Sequence, residues 1–202
     1  MATLAAMDDL EDYFGRLANW EGLPVVPLVA RWDRGDVERV MDDFRGAYRL
    51  TEFAARFLEV EDGVSNQSIG NKVAEFFVGA VGQHLRTHRI DPCRGPGYPD
   101  KRLVRVADGR VFALEMKATS HFNGNDSNRI VLTCSSRKLR ADFRAPICHV
   151  LATVCYVKNG NQIAVEHLRL DFLDPDTPVD MRLEGSVSQK GLARGAQASV
   201  TF

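Results

Sequence analysis

Two short segments hold the residues whose chemistry stands out. Tyr98-Pro99-Asp100 is followed by Leu114-Glu115-Met116-Lys117, with 14 residues between Asp100 and Glu115. Side chains alternate along a strand, so Glu115 and Lys117 share one face while Met116 points to the other and into a core. A hairpin between the segments would bring Asp100 and Glu115 to one end of a small sheet. Hydrolysis of a phosphodiester needs phosphate charge neutralised, a water made more nucleophilic and the leaving 3' oxygen stabilised. Asp100 and Glu115 are hard oxygen ligands that suit Mg2+, an ion bound through few carboxylates with several waters kept. The Met116 backbone carbonyl is a further candidate ligand. Lys117 can hold or help deprotonate the attacking water, and partial desolvation is expected to lower its pKa. In the competing reading Asp100 caps a turn, and Glu115 with Lys117 forms an exposed cross-strand ion pair.

The elements that must position these groups are legible in the patterning. Leu10, Tyr13, Phe14 and Leu17 recur at helical spacing within 4–18. After Pro24 and Pro27, Asp33 or Asp36 is placed to cap a helix whose stripe is Val37, Val40, Met41, Phe44 and Tyr48, continuing through Phe53, Phe57 and Leu58. A further helix is expected from Ser65 or Asn66 to about His88, with Ile69, Val73, Phe76, Ala80 and Leu85 inward. Its other side collects Ser68, Asn71, Lys72, Glu75, Gly79 and Gly82, a carboxylate beside a cation, with glycines that suggest close approach of a strand. Beyond Ile90 the pattern changes to strands: 103–106 and 111–116 joined by the turn Ala107-Asp108-Gly109-Arg110, then 130–134, a short basic helix over 135–143, and 148–157 and 163–172 joined at Asn159-Gly160. The stretch 185–202 carries no clear element.

Immediately past the Glu115 strand comes a dense set of polar side chains: Ser120, His121, Asn123, Asn125, Asn128 and Arg129. Asn pairs with adenine and Arg with guanine in the major groove, so this segment reads as a candidate recognition loop or as an ordinary polar loop. Arg137, Lys138 and Arg140 follow as candidate phosphate contacts. Charge is distributed accordingly: 1–62 hold 14 acidic and 7 basic side chains, whereas 63–144 hold 7 and 14. A polyanion would prefer the middle of the chain.

Pro99-Asp100 with Glu115-x-Lys117 on a hairpin, preceded by a helix bearing Glu75, resembles the PD-(D/E)xK nuclease superfamily, and within it the type II restriction endonucleases. That resemblance implies that Asp100 and Glu115 bind Mg2+, with Mn2+ able to substitute. Lys117 would be the catalytic lysine and Glu75 the helix glutamate beside the site. It covers about 65–172, for which it implies the order helix, three strands, helix and strand. The fold expected is α/β: a restriction-endonuclease-like core, a mixed sheet flanked by helices, with an N-terminal helical portion. A single domain is expected over 1–202, with a helical extension at 1–62, the catalytic core at 63–175 and a tail at 176–202. The implied activity is sequence-specific cleavage of double-stranded DNA by a homodimer. A repair or recombination nuclease of the same superfamily and a non-catalytic DNA-binding domain are the alternatives.

Composition narrows the other classes. No apolar run approaches the roughly 20 residues of a membrane-spanning helix, so no membrane partner is expected, and the acidic start without a signal pattern points to a cytoplasmic location. Four cysteines without a Cys-x-x-Cys pair give neither a disulfide framework nor a zinc ribbon. His84 and His88 are spaced as a metal pair, with no third ligand in view.

Overall fold

The computed structural model describes residues 9–51, 57–61, 63–95, 97–120, 130–133, 136–143, 146–179, 181–182, 186–188 and 195–202. Helix α1, Leu10–Trp20, starts where the Asp9 carboxylate accepts from the Asp12 amide, and it buries Leu10, Tyr13, Phe14 and Leu17. Helix α2, Arg34–Leu50, is capped by Asp33, which accepts from the Gly35 and Asp36 amides. Its stripe stops there. Thr51 turns extended, and Phe57–Glu59 is strand β1, paired antiparallel with 162–164, so Phe57 and Leu58 belong to a sheet edge rather than to a longer helix. Phe53 lies outside the described residues.

Helix α3, Asn66–Gly82, is capped by Ser65 and ends short of the expected His88. The cause is Asp43 of α2, whose carboxylate accepts from the amides of Arg86, Thr87 and His88, the Thr87 hydroxyl and His88 Nδ1. Amides drawn to that carboxylate cannot continue a helical ladder. The buried stripe of α3 is Ile69, Val73, Ala74, Phe77, Val78 and Val81, so Phe76, expected inward, is 41% exposed. Of the two glycines read as marks of close approach, Gly82 qualifies: a β-carbon there would meet Ile90 Cδ1 at 3.2 Å, whereas Gly79 faces open space.

The remaining elements are β2 (His88–Pro92), β3 (Lys101–Arg105), β4 (Val111–Thr119), β5 (Ile130–Thr133), α4 (Ser136–Asp142), β6 (His149–Asn159), β7 (Gln162–Leu173), β8 (Met181–Arg182), β9 (Ser186–Ser188) and β10 (Ala198–Thr201). The main sheet has the order β1-β7-β6-β4-β3-β2, with β10 also on β7. Its pairs are antiparallel except for β4 and β6, which are parallel. The chain therefore returns from the end of β4 to the start of β6 through α4, as parallel neighbours require. Strands β5, β9 and β8 form a separate small sheet. Thus the stretch read as featureless contributes β9 and β10, both short: β9 pairs with the adjacent β8 and the distant β5, and β10 with β7.

Alternation along β4 divides two cores. Phe112, Leu114 and Met116 pack with Val150, Ala152 and Val154 of β6 under α2 and α3. Ala113 and Leu151 face the other way, among Tyr13, Phe14 and Leu17 of α1 and Leu139 of α4. The fold is a mixed α/β sheet with helices on both faces. Among the described residues no helix is long and apolar enough to cross a membrane. Trp32 stacks on Phe112 with ring centroids 4.9 Å apart and planes at 8°, an arrangement that adds about 0.5–1.5 kcal/mol beyond burial.

Candidate active site

Asp100 ends the loop before β3, and Glu115 lies opposite it near the middle of β4, because Lys101 pairs with Leu114. Each acid is held by a backbone amide from the other's segment. The Asp100 amide donates to Glu115 Oε2 at 3.1 Å, and the Met116 amide donates to Asp100 Oδ2 at 2.9 Å. Lys117 Nζ is 2.5 Å from Glu115 Oε1. The three groups expected from sequence to meet do meet. The Glu115 side chain is only 4% exposed and that of Lys117 29%, which removes the reading of an exposed surface ion pair.

Electrostatics refine the roles. Burial pushes the Glu115 carboxyl up to about 8, Lys117 pulling against the shift and Asp100 adding to it. For Lys117, burial alone would lower the pKa, but the Glu115 and Asp100 charges outweigh it and raise the value above the ordinary one. The expectation of a lowered lysine is therefore corrected. Desolvation acts as foreseen, but two carboxylates stand beside the ammonium, so Lys117 holds its proton. The buried Glu115 carboxyl holds its proton near neutral pH beside the half-buried Asp100, and a divalent cation bound there would take that proton's place. Asp100 Oδ1, Glu115 and the Met116 carbonyl would hold the cation, water completing the shell. Among the described residues no group of three or more His, Cys, Asp or Glu side chains is arranged around a metal position, so the donor set is two side chains and backbone.

Glu75 stands apart from the acid pair. Its Oε1 accepts from Lys101 Nζ at 2.8 Å, and Lys101 pairs in register with Leu114, on the α3 side of the sheet. Alternation puts Glu115 on the opposite side. Glu75 thus flanks the residue after Asp100 without facing the Glu115 carboxylate. Ser120 is exposed at the end of β4. His121, Asn123, Asn125, Asn128 and Arg129, the expected recognition loop, lie outside the described residues. The three basic residues of α4 differ from one another. Arg137 is 68% exposed, 4.0 Å from Glu21. Lys138 donates to the Gly97 carbonyl at 2.6 Å, and Arg140 to the Pro24 carbonyl at 2.8 Å. Lys138 therefore fastens the loop that leads into Asp100.

Sequence reading missed the support beneath that loop. Tyr98 stacks on His149, the first residue of β6, at 5.6 Å and 7°, and its hydroxyl is 2.5 Å from His149 Nδ1. His149 Nε2 is 3.2 Å from the Leu28 carbonyl, which can only accept, so Nε2 carries the proton and Nδ1 accepts from Tyr98. Burial keeps His149 neutral by lowering its pKa to about 4. A histidine beginning an apolar strand was the one available signal, and nothing in its spacing tied it to Tyr98.

This depressed value has a consequence for acid stability. An unfolded chain protonates His149 near 6.5 while the folded one resists to about 4, so stability present above pH 6.5 is lost as pH falls through that window. Between pH 7 and pH 4.5 the urea-unfolding stability of the original chain is expected to fall by up to about 3 kcal/mol relative to that of His149→Gln. An equal fall in the two proteins would contradict the assignment.

Comparison with family models, with curated proteins and with solved structures finds no match to this chain.

Proposed function

We propose that this chain is a Mg2+-dependent endonuclease of the PD-(D/E)xK type that cuts double-stranded DNA at a specific sequence, as a type II restriction endonuclease does. The observation that carries this reading is the convergence of Asp100, Glu115 and Lys117 on one sheet face, with Glu115 buried. The element order supports it: apart from β5, which belongs to the separate small sheet, α3, then β2, β3 and β4, then α4, then β6 parallel to β4 follows the order the resemblance implies.

When bound, Mg2+ would neutralise phosphate charge and make a water more acidic. The chain's own part is positioning and charge. Met116 N–H fixes Asp100, and the Asp100 amide fixes Glu115, so the two acids are positioned before any substrate arrives. Lys117 enters as an ammonium and donates hydrogen bonds to the incoming water or to a phosphate oxygen. Its positive charge favours the transition state, in which negative charge grows on phosphate and on the leaving oxygen. One such site per chain cuts one strand, and severing both strands of a symmetric target calls for a two-fold pair of chains.

Incubation of supercoiled plasmid with purified protein and Mg2+ is expected to give discrete fragments with identical end sequences. A smear or persistent nicking would move the assignment to a repair or recombination nuclease. Intact plasmid with both Mg2+ and Mn2+ would defeat the proposal.

A further inference from the structure

Trp20, the last residue of α1, is 78% exposed, and Val25 and Val26 in the following turn are 57% and 38% exposed. An exposed tryptophan followed within six residues by two exposed valines calls for a partner more than a scattered leucine does. Its place in the fold narrows that partner. Glu21 is 4.0 Å from Arg137 at the start of α4, and the Pro24 carbonyl accepts from Arg140. Lys138, between those two arginines, donates to Gly97 on the loop into Asp100. Helix α4 lies on the return from the end of β4 to the start of β6, so its first turn is at the Lys117 end of the sheet. The core beneath α1 and α4 contains Ala113 and Leu151, which share a sheet face with Glu115. Trp20 therefore borders the same face, at the same end, as the acid pair.

Cations dominate around it. Arg16 lies one helical turn before Trp20, and Arg137, 68% exposed, lies on α4 with Lys138 and Arg140, whose charges are held nearby by the Gly97 and Pro24 carbonyls, against the acids Glu21 and Asp142. A second copy of the chain, docked through this surface, would bring the basic excess of both chains into one interface. A nucleic-acid strand satisfies both features, giving phosphates to the guanidiniums and a base face to the indole. Paired bases hide their faces in the duplex stack, whereas an unpaired base offers one. We infer that Trp20 and Arg137 form a stacking platform for an unpaired stretch of DNA, an opened or frayed part of the duplex substrate, running alongside the catalytic cleft. The inference rests on the nuclease reading of the Asp100–Glu115 site.

The chain has two tryptophans, and Trp32 is 3% exposed, so changes in emission on adding DNA report Trp20. Without divalent metal, an oligothymidylate of about 20 nucleotides is expected to quench that emission, and a duplex of equal length to quench it far less. Trp20→Ala, a surface change, is expected to bind the oligothymidylate at least about tenfold more weakly, and Arg137→Ala to lose part of the salt dependence. Equal quenching by duplex and single strand, or unaltered binding by Trp20→Ala, overturns the inference. So does emission that shifts with protein concentration alone, which would mark the patch as a contact between copies. Cleavage of plasmid without Trp20 quenching would sink this inference and leave the nuclease reading intact. Quenching with no cleavage under any divalent metal would leave a stacking surface and remove the catalytic reading.

Discussion

Lys117→Ala is expected to lower the rate of plasmid cleavage at least about a hundredfold, with the fold intact and with Mg2+ binding no weaker than in the unaltered chain. The reason lies in what Lys117 touches. Its ammonium sits on Glu115 Oε1 and keeps its proton because two carboxylates outweigh its burial. Removing it takes away the group that competes with a metal for Glu115, so metal affinity holds or rises. What disappears is the hydrogen-bonding cation that favours the transition state. Single-turnover cleavage measured beside calorimetric Mg2+ titration separates these effects. Cleavage at the original rate would reduce Lys117 to a buried ion-pair partner.

Glu115→Gln is the second large effect, and it acts in opposite directions on function and stability. The amide keeps an oxygen for the Asp100 N–H but forfeits the charge, so Mg2+ binding and cleavage are both expected to fall by about two orders of magnitude or more. Stability should move the other way. Burial raises the Glu115 carboxyl from 4.5 to about 8. The metal-free folded chain therefore holds a proton that the unfolded chain gives up, and the associated stability, complete below pH 4.5, drains away as pH rises towards about 8. In the absence of divalent metal, Glu115→Gln is expected to be the more stable protein at pH 8, by on the order of a few kcal/mol, with the difference vanishing towards pH 4.5. Adding Mg2+ should raise the melting temperature of the original chain, because the ion binds only the folded form, and should leave the variant unmoved. A Glu115→Gln protein that still gains stability from Mg2+ would place the ion elsewhere.

Much of the site was readable because it depends on local periodicity. Two residues apart on a strand means one face, so Glu115 and Lys117 were bound to be neighbours once β4 existed. The hairpin through Asp108 and Gly109, where Gly109 has φ 73° and Asp108 accepts from the Arg110 amide, sets the register that brings Asp100 opposite. Features fixed by distant residues were harder to read. Helix α3 stops where it does because Asp43 on another helix captures the next amides, and no local signal announces that. Phe57 and Leu58 continue a helical stripe on paper, yet they pair with β7, more than a hundred residues later. The charge of Lys117 could not be settled from burial alone, since it depends on two carboxylates, one of them across the hairpin. His149 under Tyr98 likewise needed the parallel return of the chain through α4.

The most direct measurement is anomalous scattering from crystals grown with Mn2+. A single strong peak shared by the carboxylates of Asp100 and Glu115, with the Met116 carbonyl in its shell and Lys117 alongside, is the result predicted. No peak between those two acids at saturating Mn2+, or carboxylates turned away from each other, would contradict the account at its base.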